Sequence, residues 1–135
     1  MAEIIRIILS YLIGSISGSM VIGKFKKVDI REMGSGNAGG TNAFRTQGAL
    51  FALGVIIIDI FKGFAATYYI GMGFGDVSSL SLTCGFASVI GHIYPIYHQF
   101  KGGKGAGTLI GALLALPLSG IVIPTLILIW LVILV

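Results

Sequence analysis

The chain has 135 residues, of which 56% are hydrophobic and only 10% charged, with a mean hydropathy of +0.99. A soluble domain carries about 25% charged residues to cover its core, so an ordinary soluble protein is excluded and an integral membrane protein is indicated. Nine Lys+Arg against five Asp+Glu give a net charge of +4, which in a membrane protein is first a topology signal, and the single Cys84 leaves no partner for an intrachain disulfide.

The N-terminus carries Glu3 and Arg6 rather than a basic cluster, and no small-x-small cleavage site follows its apolar run. Residues 4–23, "IIRIILSYLIGSISGSMVIG", therefore read as a retained transmembrane helix, with Gly14, Ser15, Ser17, Gly18 and Ser19 forming a small-residue packing face. A long polar loop is expected over 24–48. A second apolar helix spans 49–72 and holds Asp59 and Lys62. After a short turn at 73–76, a third runs over 77–97 and contains Cys84, a small buried or lipid-facing residue. A further loop, "HQFKGGKG", covers 98–105. The fourth helix begins near 106 and continues without a charge to 135. At about 1.5 Å per residue it would exceed a hydrocarbon core of roughly 30 Å, so kinks are expected at Pro117 and Pro124. The chain stops at "WLVILV" without a polar boundary, as expected if further sequence follows in the complete protein.

Seven of the nine basic residues fall in the two polar loops: Lys24, Lys26, Lys27, Arg31 and Arg45 in the first, Lys101 and Lys104 in the other. The 73–76 turn has none. The positive-inside rule places both loops in the cytoplasm and the N-terminus outside. The expected fold is an all-α, polytopic membrane protein with four transmembrane helices in one domain, 1–135.

The stretch "GSGNAGGTN", starting at Gly34, contains G-x-G-x-x-G. That pattern binds dinucleotides only between a buried strand and a helix, whereas charged "KFKKVDIREM" precedes it. The "GGKG" of the other loop fails as a phosphate-binding P-loop, because Gly105 follows Lys104 where Ser or Thr is required. What remains is chemical. Glycines let backbone N–H groups converge on an anion. Ser35, Asn37, Thr41 and Asn42 add neutral polar groups, and Arg45 a planar fork suited to phosphate. Gly102, Gly103 and Gly105 surround Lys104 in the same way, with Thr108 one turn on. Two such loops on one face suit a pair of phosphorylated substrates; the plainer alternative is two flexible cationic loops.

Asp59 and Lys62 share a helix face at i, i+3. Charges inside a bilayer are costly; these either fix helix packing or support the site from below. His92, in "GHIYP", is a candidate general base or a structural hydrogen-bonding residue, and His98 is an interfacial one. Nothing points to a metal, a cofactor or a nucleic-acid partner.

The segments "DIREMGSGNAGGTNAFRTQG", "DIFKG" and "GHIYPIYHQFKGGKGAGT", with "YLIGSISGSMVIGK" before them, resemble the bacterial acyl-phosphate:glycerol-3-phosphate acyltransferase (PlsY) family. The resemblance implies an inner-membrane enzyme that transfers a fatty acyl group from acyl-phosphate to glycerol 3-phosphate among membrane lipids. The products are lysophosphatidic acid and phosphate, the start of phospholipid synthesis. By the same resemblance, Gly34, Ser35, Gly36, Asn37, Thr41 and Asn42 belong to a first phosphate-binding motif, and Arg45 holds the glycerol-3-phosphate phosphate. Gly102, Gly103, Lys104 and Gly105 form a second motif, with Lys104 as the second cation. Ser35, Arg45, Lys104 and His92 are the implied catalytic set. Family members have seven helices and a third motif, rich in His and Asn, toward the C-terminus. By the resemblance, this chain is expected to correspond to their N-terminal part, without that motif. A truncated, non-catalytic phosphate binder and a small transporter using Asp59 and Lys62 are the alternatives.

Overall fold

A computed structural model describes residues 1–73 and 75–116. The described elements are helices and turns: α1 Ala2–Gly14, α2 Gly18–Lys26, a 3₁₀ turn Ile30–Glu32, α3 Gly40–Gln47, α4 Ala49–Ala65, α5 Ser79–Ile93, a second 3₁₀ turn Ile96–His98, and α6 Ala106–Leu114. Helix α4 runs on as a π-helical segment, Ala66–Met72. Two continuous helical stretches are long and apolar enough to cross a membrane, Ala49–Met72 and Ser79–His98. The α1–α2 pair makes a third if its bent course counts as one span. The remainder of the expected fourth helix, with its kinks at Pro117 and Pro124, lies outside the described residues.

The expected single helix over 4–23 is two helices, bent by 40° at the intervening residues. Ser17 is extended, at φ −88° and ψ 122°, and the Ser15 hydroxyl donates back to the Tyr11 carbonyl at 2.9 Å. A broken helix inside a bilayer leaves backbone groups that must be satisfied internally. Here Lys62 Nζ donates to the Ile16 carbonyl at 2.6 Å, and the Gly18 N–H donates to Asp59 Oδ1 at 3.2 Å. The two intramembrane charges thus hold the two sides of the break. The small residues do form a packing face, with Gly14 against the Ser88 backbone and Gly18 against the Val55 carbonyl, and the same stretch also holds the interruption.

The expected loop over 24–48 is also more structured than its composition suggests. The 3₁₀ turn and α3 sit on α4 through Ile30, Ala43, Phe51, Ala52 and Val55, each buried. Burying a side chain such as Ile30 stabilises the fold by about 1.5–3 kcal/mol, enough to pin a polar segment to the bundle. Helix α4 packs chiefly on α6, and α1 on α5. Both contacts are backbone-close. A Cβ at Gly63 would strike the Thr108 carbonyl, and one at Gly91 the Tyr11 carbonyl, so glycine is required where these helices cross.

Candidate active site

Helices α3, α4, α5 and the start of α6 surround a cavity of about 850 Å³. Its walls carry Ser35, Asn37, Thr41, Asn42, Arg45, Asp59, His92, Lys104 and Gly105, together with apolar Ile56, Val89 and Leu109. Residues 35 to 45 and 104 to 105, remote in sequence, therefore face one space that is polar on some walls and apolar on others.

The first half of this site is built around Asn42. It lies in the first turn of α3 and is buried. Its Oδ1 accepts the Ser35 N–H at 3.0 Å, and its Nδ2 donates to the carbonyls of Ile30 at 2.8 Å, Met33 at 3.0 Å and Asn37 at 3.0 Å. One amide thereby folds the 30–37 segment into a cradle. Its polar atoms are committed to that backbone, so Asn42 shapes the site where the sequence alone suggested a direct phosphate donor. Gly34 and Gly36 take positive φ values of +57° and +72°, which L side chains rarely adopt. They turn the chain so that Ser35 and Asn37 reach the cavity. The Asn37 Oδ1 is buried and meets no donor among the described residues. Arg45, one turn beyond Thr41 on α3, is exposed.

The second half comes from the turn between α5 and α6. Gly103 N–H donates to the His92 carbonyl at 3.2 Å. A Cβ on Gly102 would strike that carbonyl and one on Gly103 would strike His92 Nε2. These two glycines let the loop lie flush on His92, and they shape the cavity from behind without lining it. Lys104 is exposed at its rim, and Gly105, at φ +82°, redirects the chain into α6. Neither Arg45 nor Lys104 makes an ion pair among the described residues. Two cations therefore face one cavity with no carboxylate bound to either.

Beneath lies a buried cluster. Lys62 Nζ is 3.0 Å from Asp59 Oδ1 and 2.8 Å from His92 Nδ1, all three side chains being almost fully enclosed. His92 and Asp59 also reach the cavity wall, so the intramembrane pair is continuous with the site.

Arg31 was legible in the sequence only as a topological charge, yet it joins the two loops. Its Nε and Nη2 pair with Asp29, the shortest contact being 2.7 Å, while Nη1 donates to the carbonyls of His98 at 3.3 Å and Lys101 at 3.5 Å. The hydrogen bond from Arg31 holds the Asp29 carboxyl below the usual carboxylate range, against partial burial, and Asp29 in turn raises Arg31. An Asp-x-Arg spacing ahead of a glycine-rich loop is the available sequence signal for such a clamp.

The family model for glycerol-3-phosphate acyltransferase matches residues 4–135. The chain belongs to the glycerol-3-phosphate acyltransferase family. A family member from Chlorobaculum tepidum is 48% identical over 121 residues, covering 82% of this chain and 52% of the relative. One from Aquifex aeolicus is 42% identical over 115 residues, covering 85% and 60%. A crystal structure of PlsY, an integral membrane glycerol 3-phosphate acyltransferase in its glycerol 3-phosphate form, superposes with a TM-score of 0.85 at 38% identity, covering 98% of this chain and 66% of that one. The lysophosphatidic acid form gives a TM-score of 0.82. The chain thus spans between half and two thirds of the length of these acyltransferases.

Proposed function

We propose that the protein transfers a fatty acyl group from acyl-phosphate to glycerol 3-phosphate, forming lysophosphatidic acid and inorganic phosphate. The observation that carries this reading is the convergence of Arg45 and Lys104, both without an ion-pair partner among the described residues, on one cavity with a glycine-rich cradle. PlsY was crystallised in a glycerol 3-phosphate form and a lysophosphatidic acid form, which supports the choice of substrate.

The chemistry follows from charge and proximity. Arg45 binds the phosphate of glycerol 3-phosphate through its planar fork. Lys104 and the loop at 102–105 bind the phosphate of the donor. Ser35, on the cavity wall, offers its hydroxyl to a substrate phosphate. Asn37 Oδ1, buried without a donor among the described residues, accepts a hydrogen bond from a hydroxyl of the glycerol moiety. The acceptor hydroxyl oxygen then attacks the acyl carbonyl carbon, the bond from that carbon to the phosphate oxygen breaks, and phosphate leaves. A phosphate oxygen takes the hydroxyl proton. No covalent nucleophile is needed, because the donor is already activated. Binding two anions side by side supplies proximity, and the cations stabilise charge on the departing phosphate. Ile56, Val89 and Leu109 on the same cavity offer the acyl chain an apolar wall.

The seven basic residues of the two loops support a site on the cytoplasmic face of the bacterial inner membrane, with the N-terminus outside. Transport is the weaker reading, since Asp59 and Lys62 are engaged by the α1–α2 break. The test is release of inorganic phosphate from acyl-phosphate by the purified protein on addition of glycerol 3-phosphate. Acceptor-dependent release is expected. Glycerol 3-phosphate flux into liposomes without phosphate release would favour a transporter, and saturable binding with neither would leave a phosphate binder.

A further inference from the structure

Lys62 Nζ has three close polar neighbours: Asp59 Oδ1 at 3.0 Å, the Ile16 carbonyl at 2.6 Å and His92 Nδ1 at 2.8 Å. An ammonium has three N–H donors and no lone pair. Those partners use all three, so His92 Nδ1 must present a lone pair. The opposite arrangement, a neutral Lys62 amine accepting from a protonated Nδ1, would give up the 3.0 Å ion pair between the ammonium and the Asp59 carboxylate. With Nδ1 an acceptor, the neutral ring carries its proton on Nε2. Among the described residues, the polar contacts of the ring run through Nδ1, to Lys62 and Asp59. The Nε2 edge lies against Gly103, and His92 shares the cavity wall with Lys104.

We propose that Lys62 and Asp59 are positioning residues that lock His92 in its Nε2–H tautomer, making it a neutral donor to a substrate phosphate oxygen at the 102–105 loop and not a general base. The proposal rests on the reading of this cavity as a phosphate site. It gives the intramembrane charges a second task besides holding the α1–α2 break. Asp59 Oδ1 is itself fixed by the Gly18 N–H at 3.2 Å, so the break in the first span, the charge pair and the histidine form one connected device. His92 shares the cavity wall with Lys104 and Gly105, which sets the ring beside the cation proposed to hold the donor phosphate.

The experiment is nitrogen NMR of histidine-labelled protein in detergent micelles, at neutral pH. The chain has two histidines, His92 and His98, so a His98→Gln variant assigns the signals. The wild type is expected to show His92 neutral with its proton on Nε2, and glycerol 3-phosphate or inorganic phosphate should shift that N–H resonance. In Lys62→Met, the ring should move its proton to Nδ1, facing Asp59, or become an imidazolium. Turnover should fall about 100-fold, the scale of losing one preorganised donor. A wild-type His92 protonated at Nδ1, or a folded Lys62→Met protein with an unchanged tautomer, overturns the proposal. If Lys62→Met does not fold, the wild-type spectrum decides alone. A tautomer that switches as expected in a protein without acyltransferase activity keeps the lock and removes the functional reading, so the two fail separately.

Discussion

Asn42 offers the sharpest separation between building the site and touching the substrate. In the structure its amide accepts one backbone N–H and donates to three carbonyls at 2.8 to 3.0 Å. An NH₂ group has two protons, so one of those donations is shared. Asn42→Ala therefore removes about three hydrogen bonds at a buried position. At about 1 kcal/mol each the loss is roughly 3 kcal/mol, more where a buried partner stays unsatisfied. Asn42→Asp is nearly isosteric and keeps an acceptor for the Ser35 N–H. It nevertheless turns an oxygen toward three carbonyl oxygens, so it should be at least as damaging as alanine. The assay pairs hydrogen exchange over residues 30–37 with acceptor-dependent phosphate release, both in detergent micelles. Both variants should expose the 30–37 amides and lose most turnover. A direct phosphate donor would behave differently, with affinity for glycerol 3-phosphate falling while protection of 30–37 stayed intact. That result, or unaltered protection and turnover in both variants, refutes the scaffold role.

Arg45→Ala and Lys104→Ala should each reduce turnover by about 100-fold or more, with thermal midpoints close to wild type, because both side chains are exposed and lack ion pairs among the described residues; unchanged kinetics in either variant removes that residue from the site. Gly103→Ala forces a methyl group against the enclosed His92 ring and should cost about 1–3 kcal/mol of stability along with activity, seen as a lowered midpoint in a melt followed by circular dichroism. The Asp29–Arg31 clamp has a depressed carboxylate, so its contribution is complete above the unfolded carboxylate value of about 4 and fades as pH falls through the lower folded value. Being partly exposed, it is worth under about 1 kcal/mol. The midpoint difference between wild type and Arg31→Gln should therefore be present at neutral pH and shrink in strong acid.

The spans at Ala49–Met72 and Ser79–His98 were readable because their apolar runs are long. The break at 15–17 was not, since "GSISG" suits a tight helix–helix seam as well as an interruption. What decides it is tertiary: Lys62 and Asp59, more than 40 residues away in sequence, take the free carbonyl and N–H. Helix α3 was hidden for a similar reason. "GTNAFRTQ" has poor intrinsic helix propensity, and it is the packing of Ala43 on Phe51 and Val55, together with the buried Asn42 amide, that stabilises it. At the site, Ser35, Asn37, Thr41, Arg45, His92 and Lys104, all singled out in the sequence, line one cavity. The division of labour was not legible. Asn42, Gly102 and Gly103 serve the backbone and His92, and Arg31 ties the loops together, roles set by distances that no spacing in the sequence reveals.

The central claim is tested most directly by following isotope-labelled glycerol 3-phosphate in liposomes that carry the protein and acyl-phosphate. The account predicts label in lysophosphatidic acid, one phosphate released per molecule formed, and loss of both with Lys104→Ala. Folded protein that binds glycerol 3-phosphate but leaves all the label in the water-soluble pool would contradict it.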